Sequence, residues 1–100
     1  MMLVEVYSKD NCRLCDEALE VLELVRKEIP FQLKVIKLLP GEENFEEFKD
    51  DFPVIYINKR FAFKHRVNEN MLRIRLQQIA VEGKTTTLED DIDNQDVQGI

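Results

Sequence analysis

Two cysteines, Cys12 and Cys15, are the residues of this sequence best suited to chemistry. A run of strand-forming residues precedes them, and helical spacing begins at the first cysteine. A thiol at the start of a helix lies near unpaired backbone N–H groups and the positive end of the helix dipole, which favour a thiolate. A second thiol one turn later can attack a mixed disulfide formed at the first. The pattern therefore predicts thiol–disulfide exchange.

Charged residues next to the cysteines bear on the reactivity of Cys12. Lys9 and Arg13 place positive charge near its sulfur, whereas Asp10 and Asp16 oppose them. Because the helix terminus and Lys9 act directly at the sulfur, we expect the pKa of Cys12 to lie below that of an ordinary thiol. We also expect a locally basic surface around the cysteines, formed by Lys9, Arg13, Lys64 and Arg66.

Two other uses of the cysteine pair remain open. Both cysteines could be buried residues that serve only to pack the helix. Zinc needs four ligands, and the chain offers Cys12, Cys15 and its single histidine, His65, so acidic residues or a second chain would have to complete the site. The order of strand, motif and helix favours redox chemistry over both, and His65 is interpreted as a surface or capping residue.

Pro53 is the second informative position. Proline at the head of a strand often only begins or protects an edge strand. A redox site on this layout also needs a backbone segment that faces the cysteines and pairs with the extended chain of a substrate. A cis peptide between Phe52 and Pro53 would turn that backbone outward, and we expect this geometry.

Hydrophobic periodicity predicts the elements that must position these residues. Seven segments alternate in the order βαβαββα, and the strand–helix–strand beginning requires a right-handed crossover between parallel strands. A tight turn at Asn58 and Lys59 joins the last two strands in a hairpin. We therefore expect an α/β fold, with a four-stranded mixed sheet flanked by three helices. Four phenylalanines are expected in its core, namely Phe45, Phe48, Phe61 and Phe63, and the last two share the inner face of one strand.

Composition limits the classes of protein to consider. The 100 residues allow one compact domain, and 44% hydrophobic with 34% charged residues is typical of a soluble globular chain. A formal charge of −6 argues against a nucleic-acid partner, and no apolar run is long enough for a membrane span. The early acidic residue Glu5 argues against a secretory signal. A chain with two cysteines and no visible secretory signal is typical of the reducing cytosol. We therefore expect an intracellular, cytoplasmic protein, and we expect it to be a monomer.

The composition changes near the end of the chain. We expect Asp10 or Asn11 to cap the first helix, Asn68 to cap the last, and Gly83 to end it. Beyond that point the acidic residues outnumber the basic ones, and aromatic residues and apolar periodicity are lacking. The sequence thus predicts a folded domain at 1–82 and an acidic, disordered tail at 83–100.

Two stretches of sequence resemble the glutaredoxin branch of the thioredoxin superfamily. They are Tyr7–Cys15 (YSKDNCRLC) and Phe52–Ile57 (FPVIYI), and the resemblance covers residues 2–82. It is nearest to small glutaredoxin-like domain proteins that carry Cys-x-Leu-Cys-Asp-x-Ala, here Cys12–Ala18, and His-Arg-Val-Asn, here His65–Asn68. The resemblance implies a thioredoxin fold.

The resemblance also implies roles for individual residues. Cys12 would be the nucleophile, Cys15 the resolving cysteine and Pro53 the cis-proline. Lys9 matches a lysine that helps to bind the glycyl carboxylate of glutathione in glutaredoxins. The chain differs from glutaredoxins at Arg13-Leu14 in place of Pro-Tyr, at Asp51-Phe52 in place of Thr-Val, and at Phe63-Lys64 and Arg66 in place of Gly-Gly and Asp.

The function expected from the residues and the resemblance together is that of a thiol–disulfide oxidoreductase. Its partner would be a disulfide-containing protein or a glutathione mixed disulfide, with glutathione as reductant or co-substrate and no tightly bound cofactor. The alternative is a weakly redox or redox-inert binding module that engages a protein or holds a metal with its cysteines. The residues expected to contact the substrate are Lys9, Arg13, Phe52, Pro53 and Arg66.

Overall fold

A computed structural model of the protein describes residues 1–85. Four strands and three helices follow one another in the predicted order βαβαββα. Their bounds are β1 Leu3–Ser8, α1 Arg13–Arg26, β2 Gln32–Lys37, α2 Phe45–Phe48, β3 Val54–Ile57, β4 Arg60–Lys64 and α3 Glu69–Thr85. No helix within these residues is both long enough and apolar enough to cross a membrane.

The four strands form one mixed sheet in the order β2-β1-β3-β4. β1 pairs in parallel with β2 and antiparallel with β3, and β3 pairs antiparallel with β4. Asn58 and Lys59 join the last two strands with φ values of 51° and 69°, the positive angles that a two-residue hairpin turn needs. Because β1 lies inside the sheet, the segment that follows its carboxyl end carries the cysteines to the middle of that edge.

The main core lies on the face of the sheet that α1 and α3 cover. The apolar stripes of the two helices meet alternate residues of β1 and β3, as periodicities of 3.6 and 2 require. The buried residues of this core are Val4, Val6, Ala18, Leu22, Val25, Phe31, Ile55, Ile57, Val67, Leu72 and Leu76.

A smaller core lies near the cysteines on the side of α2. Cys15, Leu38 and Phe52 are buried there. Half-buried residues pack against them, and these are Tyr7, Cys12, Ile36, Phe45 and Phe48. The expectation that Phe45 and Phe48 contribute to the interior is therefore confirmed, although neither ring is fully buried.

The expectation that Phe61 lies in the core is wrong. Ile55 pairs with Phe63 and Tyr56 pairs with Phe61, so Ala62 is an extra residue in β4, at a β-bulge. The bulge breaks the alternation of side chains along the strand. As a result Phe63 packs against the main core, whereas Phe61 is 53% exposed and makes a T-shaped contact with the Tyr56 ring at a centroid distance of 6.1 Å.

The helix ends differ in part from the expected ones. Cys12 itself is the N-cap of α1, so the expectation of Asp10 or Asn11 is wrong. Asn68 caps α3 as predicted, since its Oδ1 accepts a hydrogen bond of 3.0 Å from the amide of Met71. The helix does not end at Gly83 but continues to Thr85. The predicted disordered tail lies outside the described residues from position 86 onward.

Candidate functional site

The turn after β1 places the two cysteines at the start of α1. Asn11 takes a left-handed φ of 54°, which asparagine tolerates better than most residues. Cys12 follows in an extended conformation as the N-cap, and its Sγ accepts a 3.1 Å hydrogen bond from the amide of Cys15. The two sulfurs form a disulfide, with 5.2 Å between the Cα atoms.

The two sulfurs differ in their access to solvent. Cys12 is half-buried at the end of the helix, whereas only 2% of Cys15 is exposed. A reagent or a partner protein therefore reaches Cys12 more easily than Cys15. This order of access is the one that an attacking thiol and a resolving thiol require.

Phe52 and Pro53 lie beside the cysteine pair. The Phe52–Pro53 peptide is cis, which confirms the expectation from the sequence. Phe52 is 4% exposed and packs in the same cluster as Cys15. The Lys9 Nζ lies 5.7 Å from the centroid of the Phe52 ring, a distance suited to a cation–π contact. The fold thus brings Lys9, Phe52 and Pro53 together around the cysteines.

The charges around the site are more balanced than the sequence predicted. Glu17 Oε2 lies 3.6 Å from Arg13 Nε, and Oε1 of the same carboxylate lies 3.7 Å from Arg66 Nη1. Asp51 Oδ1 lies 3.7 Å from Lys64 Nζ. The expected basic surface is therefore interleaved with carboxylates, because α1 places Glu17 one turn after Arg13 and the segment after β4 brings Arg66 to the same group.

A groove of about 340 Å³ runs between α1 and the segment that connects β4 to α3. Leu14, which lies between the two cysteines, connects the groove to the disulfide. Of the expected substrate contacts, Arg66 lines this groove, and Arg13 lies next to it through the ion pair with Glu17, which also lines it. The other residues that line it are Ala18, Val21, His65, Val67 and Asn68.

His65 contributes to the site in a way that the sequence did not reveal. Its amide donates to the carbonyl oxygens of Pro53 and Asp51, at 2.9 and 3.2 Å. Its Nε2 lies 2.8 Å from the carbonyl oxygen of Asp50. No local pattern indicates these contacts, because the partners are more than ten positions away in the sequence.

The zinc set left open by the sequence does not form in the part of the chain that the structure describes. Within residues 1–85, no group of three or more His, Cys, Asp or Glu side chains converges in a manner suited to a metal ion. In this part of the chain the contacts of His65 are with residues 50–53 rather than with the cysteines.

Similarity to solved structures is clear in the fold and low in the sequence. Thioredoxin-2 of the malaria parasite, described as a component of its protein secretion machinery, matches with a TM-score of 0.56 and 18% identity, over 78% of this chain and 82% of that one. The thioredoxin of Fasciola hepatica matches with a TM-score of 0.55 and 18% identity, over 77% and 79% of the two chains. The sheet and helices described above thus form a thioredoxin fold.

Similarity in sequence identifies the family. A glutaredoxin-like protein of Dictyostelium discoideum, a YDR286C homolog, is 28% identical over 82 residues, and the match covers 76% of each chain. The family model of the glutaredoxin-like domain (DUF836) matches residues 3–77, which include both cysteines and Pro53. With its disulfide at the start of α1 and a cis-proline beside it, this chain belongs to the glutaredoxin-like domain family.

Proposed function

We propose that the protein is a thiol–disulfide oxidoreductase in which Cys12 and Cys15 alternate between dithiol and disulfide. The observation that carries the proposal is the difference between the two sulfurs. Cys12 is accessible at the helix N-cap, and the buried Cys15 lies one turn later. The disulfide between them is one of the two states that this cycle requires.

The reducing half of the cycle takes two exchange steps. The Cys12 thiolate attacks one sulfur of the substrate disulfide, so that a mixed disulfide forms and the other substrate sulfur leaves as a thiolate that takes up a proton. Cys15, as its thiolate, then attacks the sulfur of Cys12. The Cys12–Cys15 disulfide forms, and the second substrate sulfur leaves as a thiolate that takes up a proton. Two electrons have passed to the substrate, and two thiols of a reductant such as glutathione restore the dithiol by the same chemistry.

The start of α1 favours the first step. In the oxidised protein the amide of Cys15 donates to Cys12 Sγ, and the same donor is available to a thiolate at that position. The free amides of the first turn and the helix dipole act in the same direction. We therefore expect the reduced Cys12 to be the more reactive of the two thiols.

Five residues are proposed to hold the substrate. The backbone at Phe52 and Pro53 would pair with the extended chain next to the substrate disulfide. The positively charged groups of Lys9, Arg13 and Arg66 would contact acidic groups of a protein or of glutathione. We propose disulfide-containing proteins and glutathione mixed disulfides as substrates, and a monomer working in a reducing intracellular compartment as the active form.

Alkylation of the reduced protein tests the reactivity of Cys12. Iodoacetamide incorporation is measured against pH for the wild type, for Cys12→Ser and for Cys15→Ser. We expect Cys12 to titrate below about 8.5, the pKa of an ordinary thiol. Cys12→Ser should lose all reduction of insulin and of a glutathionylated peptide. Cys15→Ser should lose insulin reduction and keep part of its activity on the glutathionylated peptide.

Measurements on the same protein preparation distinguish the oxidoreductase from the alternative, a binding module. A Cys12 titration at about 8.5 or above, together with no reduction of either probe, would refute the proposed function. Metal analysis of protein purified without a chelator supplies a second result. Stoichiometric zinc in the wild type that is absent from Cys12→Ser would support a module that holds a metal. A metal-free cysteine pair that is oxidised and reduced reversibly would support the oxidoreductase.

A further inference from the structure

His65 lies where the segment after β4 crosses the segment before β3. It is one of the residues with positive φ, at 68°, although it is not glycine. We propose that His65 is a positioning residue, which holds residues 50–53 against the cysteine pair so that the backbone at Pro53 is ready to receive the substrate. This inference rests on the proposed function, since it assigns a role within that reaction.

The backbone of His65 supplies the first part of the argument. Its amide donates to the carbonyl oxygen of Pro53 at 2.9 Å and to that of Asp51 at 3.2 Å. These two carbonyls flank Phe52, so one amide fixes both sides of the residue that packs in the cluster with Cys15. The left-handed φ of His65 belongs to the turn that presents this amide. A residue with a side chain is disfavoured at such a φ. A contact of the His65 side chain that offsets this cost would therefore stabilise the turn.

The side chain of His65 supplies that contact. Its Nε2 lies 2.8 Å from the carbonyl oxygen of Asp50, and since a carbonyl can only accept, Nε2 carries the hydrogen. The same nitrogen lies 3.5 Å from Asp51 Oδ1, which is also 3.7 Å from Lys64 Nζ. The ring and the amide of one residue thereby contact Asp50, Asp51 and Pro53, the residues on either side of Phe52.

The contacts of Phe52 link this segment to the redox pair. Phe52 is 4% exposed and lies in the cluster that contains Cys15, and its ring faces Lys9. Within the described residues, the hydrogen bonds and the ion pair of His65 reach Asp50, Asp51 and Pro53 and neither cysteine. Loss of its ring should therefore loosen the segment that receives the substrate, while the environment of the Cys12 sulfur remains intact.

The variant that isolates the ring is His65→Gly. Glycine keeps the backbone amide and adopts the left-handed φ without strain, so the side-chain contacts are removed while the amide stays, and a glycine control accounts for the added backbone freedom. Asn44→Gly is the matched control, because Asn44 also has a positive φ, of 77°, and its side chain makes no capping hydrogen bond. His65→Gln tests rescue, since glutamine keeps a side-chain N–H donor.

Three readouts separate positioning from a structural role. With insulin as substrate, we expect His65→Gly to lower kcat/KM by about fivefold to tenfold, mainly through KM, as the loss of one or two hydrogen bonds predicts. His65→Gln should recover part of this loss, and Asn44→Gly should match the wild type. The rate of Cys12 alkylation by iodoacetamide should not change in any of the three variants. Amide hydrogen exchange of residues 50–52 should accelerate in His65→Gly, whereas β1 should keep its protection.

Two results would overturn the inference. One is a lower melting temperature in His65→Gly with unchanged kcat/KM and unchanged amide exchange at residues 50–52, which would leave His65 a stability role only. The other is a parallel loss of Cys12 alkylation, which would mean that His65 acts on the sulfur. Hydrogen exchange needs no enzymatic activity, so it decides the positioning role even if the wild type fails to reduce insulin, a failure that would count against the proposed function alone.

Discussion

Phe52 and Phe61 provide a direct test of the packing around the site. Phe52 is 4% exposed and Phe61 is 53% exposed, although the sequence predicted a core position for Phe61 and a substrate contact for Phe52. We expect Phe52→Ala to lower the free energy of unfolding far more than Phe61→Ala. The comparison uses one residue type and one substitution, so the difference reports burial and contacts alone.

The expected magnitudes follow from those contacts. The Phe52 ring lies 5.6 Å from Phe45 and 6.5 Å from Phe48 between centroids, with Lys9 at 5.7 Å. Phe52→Ala removes a whole buried ring and leaves a cavity beside Cys15, so it should lower the free energy of unfolding by about 3–5 kcal/mol. Phe61→Ala removes a half-exposed ring and its one contact with Tyr56, so it should lower the free energy of unfolding by about 1 kcal/mol.

Urea unfolding of the oxidised proteins, followed by far-UV circular dichroism, measures both losses. The midpoint should fall in each variant, and an unchanged slope would show that the surface exposed on unfolding is the same. If Phe61→Ala is as destabilising as Phe52→Ala, Phe61 points into the core and the β-bulge at Ala62 is incorrect. A loss below about 1 kcal/mol for Phe52→Ala would refute the close packing of its ring.

Two ion pairs give further predictions. Arg73 donates hydrogen bonds of 2.6 and 3.2 Å to the Glu28 carboxylate, and these lower the pKa of Glu28. Since the folded pKa of Glu28 lies below the unfolded one, the stabilisation is complete above the unfolded pKa and is lost as the pH falls through the folded pKa. Urea titrations should therefore show a stability advantage of the wild type over Glu28→Gln at pH 7 that disappears in acid. Lys59→Met removes the 3.1 Å partner of the buried Glu5 and should lower the free energy of unfolding by about 1–3 kcal/mol.

Each of these two predictions has a result that would contradict it. An advantage of the wild type over Glu28→Gln that persists unchanged at the lowest pH would show that the carboxylate charge is not its source. For Lys59, the second substitution Glu5→Gln is the control, since it removes the buried charge that Lys59→Met leaves without its partner. If the double variant is no more stable than Lys59→Met, the buried carboxylate is not the cause of the loss.

The sequence alone predicted the order of the elements and the position of the cysteine pair in this protein. The order βαβαββα, the cysteine pair at the start of a helix and the cis geometry at Pro53 were all expected and are all present. These features depend on hydrophobic periodicity, on turn residues and on a short motif. All three are local, and local patterns can be read from neighbouring positions.

The tertiary structure decided the features that depend on residues far apart in the chain. The bulge at Ala62 turns Phe61 outward, and bulges leave no mark in a pattern of alternating residues. Glu17 meets Arg66, and His65 meets residues 50–53, only because the segment after β4 returns beside α1 and beside the cis-proline. The spacing of residues in the sequence indicates which of them share a helix or a strand. The charges around the site and the contacts that hold residues 50–53 depend instead on which elements become neighbours in space.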